Sequence, residues 1–75
     1  MKREFNKWLK DRPKIIKKLG KKFPPWFKYR IKKTKQNCEI YSYSEDGTIT
    51  VTTKEPLTGL DYNVFGLKPK DIERI

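Results

Sequence analysis

Seventy-five residues leave room for one domain, and a chain without histidine lacks the commonest general base and metal ligand. One cysteine, Cys38, excludes an internal disulfide and points to a cytoplasmic setting, and no apolar run approaches a membrane span or a signal-peptide core. Charge is unevenly placed: residues 1–36 hold 15 of the 19 Lys and Arg and two acids, a net of +13, whereas residues 37–75 hold four basic and seven acidic side chains, a net of −3.

Phe5, Trp8 and Leu9 fall at i, i+3 and i+4, which predicts a short helix over 3–10. Asp11, two residues before Pro13, suits the N-cap of a second helix with Pro13 in its first turn. That helix is expected to run to about Leu19, burying Ile15, Ile16 and Leu19, with Gly20 in the left-handed position beyond its end. One helix kinked at Pro13 is the alternative. Phe23-Pro24-Pro25-Trp26 stops any helix and favours an extended polyproline conformation. It separates a basic helical segment, 1–23, from a β-rich remainder, 26–75.

From Trp26 the period changes to two. Phe27, Tyr29 and Ile31 alternate with Lys28, Arg30 and Lys32, a half-buried strand with a basic outer face. Thr34 to Asn37 reads as a turn. Cys38 to Ser44 is a second strand, with Cys38 and Ile40 on one face and Tyr41 and Tyr43 on the other. Asp46-Gly47 predicts a two-residue hairpin turn. Thr48 to Lys54 is the third strand, with Ile49 and Val51 opposite Thr50 and Thr52. A loop from Glu55 to Gly59 contains Pro56, and a fourth strand is centred on Tyr62 to Phe65. Pro69-Lys70-Asp71 reads as a tight turn or 3₁₀ element before a short closing strand, Ile72 to Ile75.

This order, and above all the run from Val64 to Ile75 with its Pro-containing turn and short last strand, resembles an SH3-like small β-barrel over residues 26–75. The resemblance implies a five-stranded antiparallel barrel, and with the one or two N-terminal helices read above packed on it the expected fold class is α+β. It implies no function, because this architecture hosts many.

Catalysis, a metal or a cofactor is not expected. No histidine accompanies Cys38, whose strand position suits a small buried hydrophobe. The four glycines are scattered singly and form no phosphate loop. The basic segment is the candidate site. Lys10, Lys14, Lys17, Lys18, Lys21 and Lys22, extended by Lys28, Arg30, Lys32 and Lys33, are placed to meet a phosphate backbone, with Trp26 beside them. Lysine outnumbers arginine there, and a point charge reads no base edge, so binding to DNA or RNA is expected to be mostly sequence-non-specific. The alternative is a protein-interaction module, a small inhibitor or adaptor docking on an acidic protein. A membrane surface is a weaker third partner, because Phe5, Trp8, Leu9, Ile15, Ile16, Leu19 and Phe23 are needed to cover the barrel. Phe27 and Tyr29 are expected in the core, and Tyr41 and Tyr43 as a surface for the helices.

Overall fold

The computed structural model describes residues 2–75. Two helices, α1 (Lys2–Lys10) and α2 (Lys14–Lys22), precede five strands: β1 (Tyr29–Ile31), β2 (Asn37–Tyr43), β3 (Ile49–Lys54), β4 (Asp61–Leu67) and β5 (Ile72–Arg74). All pairings are antiparallel, in the order β4-β3-β2-β1-β5. The arrangement is α+β. The sheet is open, not the closed barrel expected, because its outer strands β4 and β5 do not pair. Strands β1 and β5 are only three residues long. The helical segment fills the open side instead, and Leu19 and Phe23 join Tyr29, Ile31, Cys38, Ile49, Val51 and Ile72 in one buried cluster.

The helices are separate. Pro13 disfavours helical backbone at Arg12, so α1 closes with the Arg12 amide donating to the Leu9 carbonyl. Helix α2 starts after Pro13, which is extended at φ −53°, ψ 153° and gives no side-chain cap. Asp11 is therefore not the N-cap. Gly20 is not the terminator either. Helix α2 runs through it to Lys22, and Gly20 is buried where the two helices cross. A Cβ there would lie 2.8 Å from Leu9 Cδ1 and 3.1 Å from Phe5 Cζ. Absence of a side chain, not a left-handed backbone, is what this glycine supplies.

The diproline segment turns back instead of extending, with the Phe27 amide donating to the Pro24 carbonyl at 3.4 Å. Two tyrosine hydroxyls hold this junction to the sheet: Tyr29 donates to the Pro24 carbonyl at 2.7 Å and Tyr43 to the Phe23 carbonyl at 2.5 Å. The Phe23 carbonyl stands at the end of α2, where C=O groups lack intrahelical partners, and the Pro24 carbonyl accepts from both Tyr29 and the Phe27 amide. Burial raises the pKa of both tyrosines, so both are protonated donors at neutral pH.

Tyr43 reaches that carbonyl because β2 changes phase. The register with β3 shifts between Ile40 and Ser42, a bulge that breaks the period-two alternation. Tyr43 thus packs against the core beside Ile40, while Tyr41 is 64% exposed. The two tyrosines do not share the outer face predicted for them. A second irregularity, on the other side of β3, sets Phe65 and Gly66 against the single residue Thr50, with Gly66 at φ +73°. The β2–β3 hairpin uses Asp46-Gly47 as expected but with a three-residue loop. The Gly47 amide donates to Ser44 and the Ser44 amide to Thr48, with Gly47 at φ +88°. The 3₁₀ turn Pro69–Asp71 forms where predicted, closed by the Asp71 carboxylate accepting the Lys68 amide at 2.9 Å.

Candidate nucleic-acid interface

Helix α2 reads Lys-Ile-Ile-Lys-Lys-Leu-Gly-Lys-Lys. Ile16, Leu19 and Gly20 are buried, which turns Lys14, Lys18, Lys21 and Lys22 outward. No acidic residue lies within α2 to offset them. Lys17 is half-buried, not on the open solvent face expected for it. It follows Ile16 directly and lies at the margin of the buried stripe. Lys10 is exposed in the last turn of α1. Several of these lysines cluster in the last turns of the two helices, where cations complement the negative dipole end.

The strand-borne cations are differently placed. Arg30 is committed: it sits opposite Glu73 in the β1–β5 register, and its guanidinium donates to the Glu73 carboxylate at 2.9 Å. That hydrogen bond and the nearby charges of Arg30, Lys32 and Lys35 hold the Glu73 carboxyl below its ordinary range. Among the described residues this is the one ion pair. Lys32 and Lys33 are exposed in the β1–β2 connection, which Lys35 closes with a positive φ of 63°. Lys28 is exposed and borders a shallow cleft of about 530 Å³ over the sheet, shared with Lys35, Lys54, Glu39, Thr52 and Asp61. The acids make this cleft nearly neutral. Cys38 lies at its floor. Burial and the neighbouring Glu39 push its thiol up to about 11, so it is protonated at neutral pH.

Trp26 is half-buried in the diproline turn, its ring edge-on to Phe5 at 5.5 Å. Phe5 stacks in turn on Trp8 at 5.8 Å. With Glu4 and Pro25 these three rings line a cleft of about 380 Å³ between α1 and the turn. A second hollow of about 240 Å³ shares Phe5 and Trp26 with it and reaches Asn6, Gly20 and Lys21. The Arg12 guanidinium lies over the Trp8 ring, 4.7 Å from its centroid, an attraction between cation and ring quadrupole. Trp8 itself remains 42% exposed.

The sequence reading named Trp26 for the site but assigned Phe5 and Trp8 to the core. A signal was available. Leu9 is the centre of the buried stripe of α1, which puts Trp8 at its margin, and Arg12 stands one turn later, at i+4, where a cation can cover the ring. The structure thus brings Phe5 and Trp8 to Trp26, with Arg12 on the Trp8 ring. It leaves Lys28, Lys32 and Lys33 on a separate part of the fold, around β1. The chain matches no protein-family profile, no curated protein and no solved structure.

Proposed function

We propose that this is a non-catalytic nucleic-acid-binding domain, mostly indifferent to sequence, that meets the phosphate backbone through α2. The observation that carries the reading is the run of exposed Lys14, Lys18, Lys21 and Lys22 on one short helix with no acidic residue in it and, among the described residues, no ion pair of their own. A face like this lowers the free energy of any polyanion beside it and releases condensed counterions on contact. The cations around β1 add to the field. Arg30 contributes least, since Glu73 offsets it. An SH3-like reading of the β region draws support from the pairing of the last strand with β1 after a 3₁₀ turn. A cytoplasmic setting accords with the single buried thiol, Cys38.

The test is binding of fluorescent duplex and single-stranded oligonucleotides across a salt series. About five neutralised phosphates give a slope of log K against log salt of roughly −4. Replacing Lys14, Lys18, Lys21 and Lys22 with Gln should flatten that slope by about 3 while leaving the melting temperature in place, because all four side chains are exposed. No binding at low salt, or binding unchanged by the four replacements, rejects the reading.

A second reading, a small inhibitor or adaptor on an acidic protein, rests on the same lysines and on one further observation. The β4 end of the sheet exposes Leu57 at 93%, Leu60 at 69% and Phe65 at 73%. Exposed large apolar side chains in the β3–β4 loop and on the edge strand that follows it suit a protein contact. A discrete protein retained from nuclease-treated lysate would favour it, and retention that disappears with nuclease would favour nucleic acid.

A further inference from the structure

We infer that the cleft of Phe5, Trp8 and Trp26 receives an unstacked base, so that the polyanion this domain prefers is single-stranded. The inference rests on the nucleic-acid reading above and deepens it. Three aromatic rings and a proline border an opening of about 380 Å³, within the range of clefts that enclose small ligands, about 300–1,000 Å³. An apolar cleft alone does not say what enters it. Its surroundings do, because the polar groups beside the rings divide by charge in the way a nucleotide does.

Lys21 borders a neighbouring hollow that shares Phe5 and Trp26 with the cleft, and Arg12 stands over Trp8 outside the cleft's lining. These cations lie beside the rings, where the phosphates that flank a base would need them. Glu4, at the aromatic rim, carries an acceptor that only the N–H edge of a base can satisfy within such a ligand. The Arg12 guanidinium is itself a planar cation lying on an aromatic face. It also donates a long hydrogen bond from Nε to the Trp8 carbonyl at 3.4 Å. In a duplex the faces of the bases are stacked inside and out of reach, so this cleft distinguishes single strand from duplex where the lysines do not. An acidic proline-rich peptide is the competing occupant. It would use the rings but leave Glu4 facing its own charge.

The chain has two tryptophans, Trp8 and Trp26, and both line the cleft. Intrinsic fluorescence therefore reads the site directly. The probes are a short oligothymidylate, a strand of equal length built of abasic residues, and a duplex of equal charge, each titrated at low salt. Oligothymidylate should quench the emission and bind about tenfold more tightly than the abasic strand, the usual contribution of one stacked base. Trp8→Leu should lose that tenfold, and a circular-dichroism melt reports whether the variant is folded. Should Trp8→Leu fail to fold, the oligothymidylate-to-abasic ratio on the unaltered protein decides alone. Equal affinity for all three probes without quenching overturns the base cleft and leaves backbone binding standing. No binding to any probe overturns both. Quenching by an acidic proline-rich peptide and not by oligothymidylate overturns the inference in favour of a peptide groove.

Discussion

Replacing Gly20 with alanine sets two effects of opposite sign against each other. In a helix interior the change ordinarily stabilises by about 1 kcal/mol, because alanine restricts the unfolded chain and glycine does not. At the α1–α2 crossing the added methyl meets Leu9 Cδ1 at 2.8 Å, and Leu9 Cδ2 and Phe5 Cζ at 3.1 Å. Leu9 can yield only by leaving the position in which it is 4% exposed and swinging toward the hollow beside Trp26. Overpacking of this kind costs about 1–3 kcal/mol. The net expectation is a loss of about 1 kcal/mol, which for a domain this size lowers Tm by about 4–8 °C. A thermal melt followed by far-ultraviolet circular dichroism measures it. The control is the same substitution in a Leu9→Ala background. With the Leu9 branch atoms gone only the 3.1 Å approach to Phe5 Cζ remains, and Gly20→Ala should then lower Tm less than in the parent or raise it, a difference that reports direct coupling. A Gly20→Ala protein that melts higher than the parent would refute the close crossing.

Gly47→Val should cost about 1–2 kcal/mol in urea unfolding, because a β-branched residue is strained at φ +88°. Its Cβ would also press on Ile15 Cδ1 at 3.2 Å, and an unchanged midpoint would remove both the turn and the helix–hairpin contact. Acid should destabilise the fold through three carboxylates whose pKa is lowered. Asp46 accepts from the Thr48 hydroxyl and amide, Glu55 from the Thr58 amide and hydroxyl and the Leu57 amide, and Glu73 from Arg30. Since the folded values lie below the unfolded ones, the stability they contribute is complete above the ordinary carboxylate range. It is lost as pH falls through the folded values. The urea midpoint should hold down to about pH 5 and fall toward about pH 3, and Asp46→Ala should lessen that fall. An acid limb identical in the variant would show that the Asp46–Thr48 bonds do not persist in solution.

Features with local causes were legible in the sequence. The Asp-Gly hairpin, the Pro-led 3₁₀ turn and the switch of period near Trp26 each depend on a few adjacent residues, whereas Pro13 by itself is compatible with either a kink or a break. Features that depend on a distant neighbour were not. Gly20 follows Leu19 at the right place for a helix terminator, and nothing in residues 14–22 says that α1 crosses there. Tyr43 was assigned to the outer face because a period of two was carried through β2. One unpaired residue at Tyr41 reverses everything after it, and such a bulge leaves no compositional trace. Closure into a barrel depends on how far the short β1 and β5 extend, which alternation alone does not measure. Of the candidate site, the lysines were legible from charge. The aromatic cleft was not, because Trp8 and Trp26 are 18 positions apart and are joined only by the folding of α1 against the diproline turn.

Strand β1 is flanked by β2, which follows it almost at once, and by β5, where Arg30 meets Glu73 across 43 positions. During synthesis both helices, the turn and four strands are complete before β5 emerges. Until then β1 has one bare edge, and Arg30 has no counter-charge. Long-range pairing of this kind is slow to form, because loop closure precedes any reward. The nascent chain therefore passes through a stage that is more basic at β1 than the finished fold and open to strand addition along that edge. A polyanion already bound to α2 would hold such a chain apart from its neighbours while the last strand arrives.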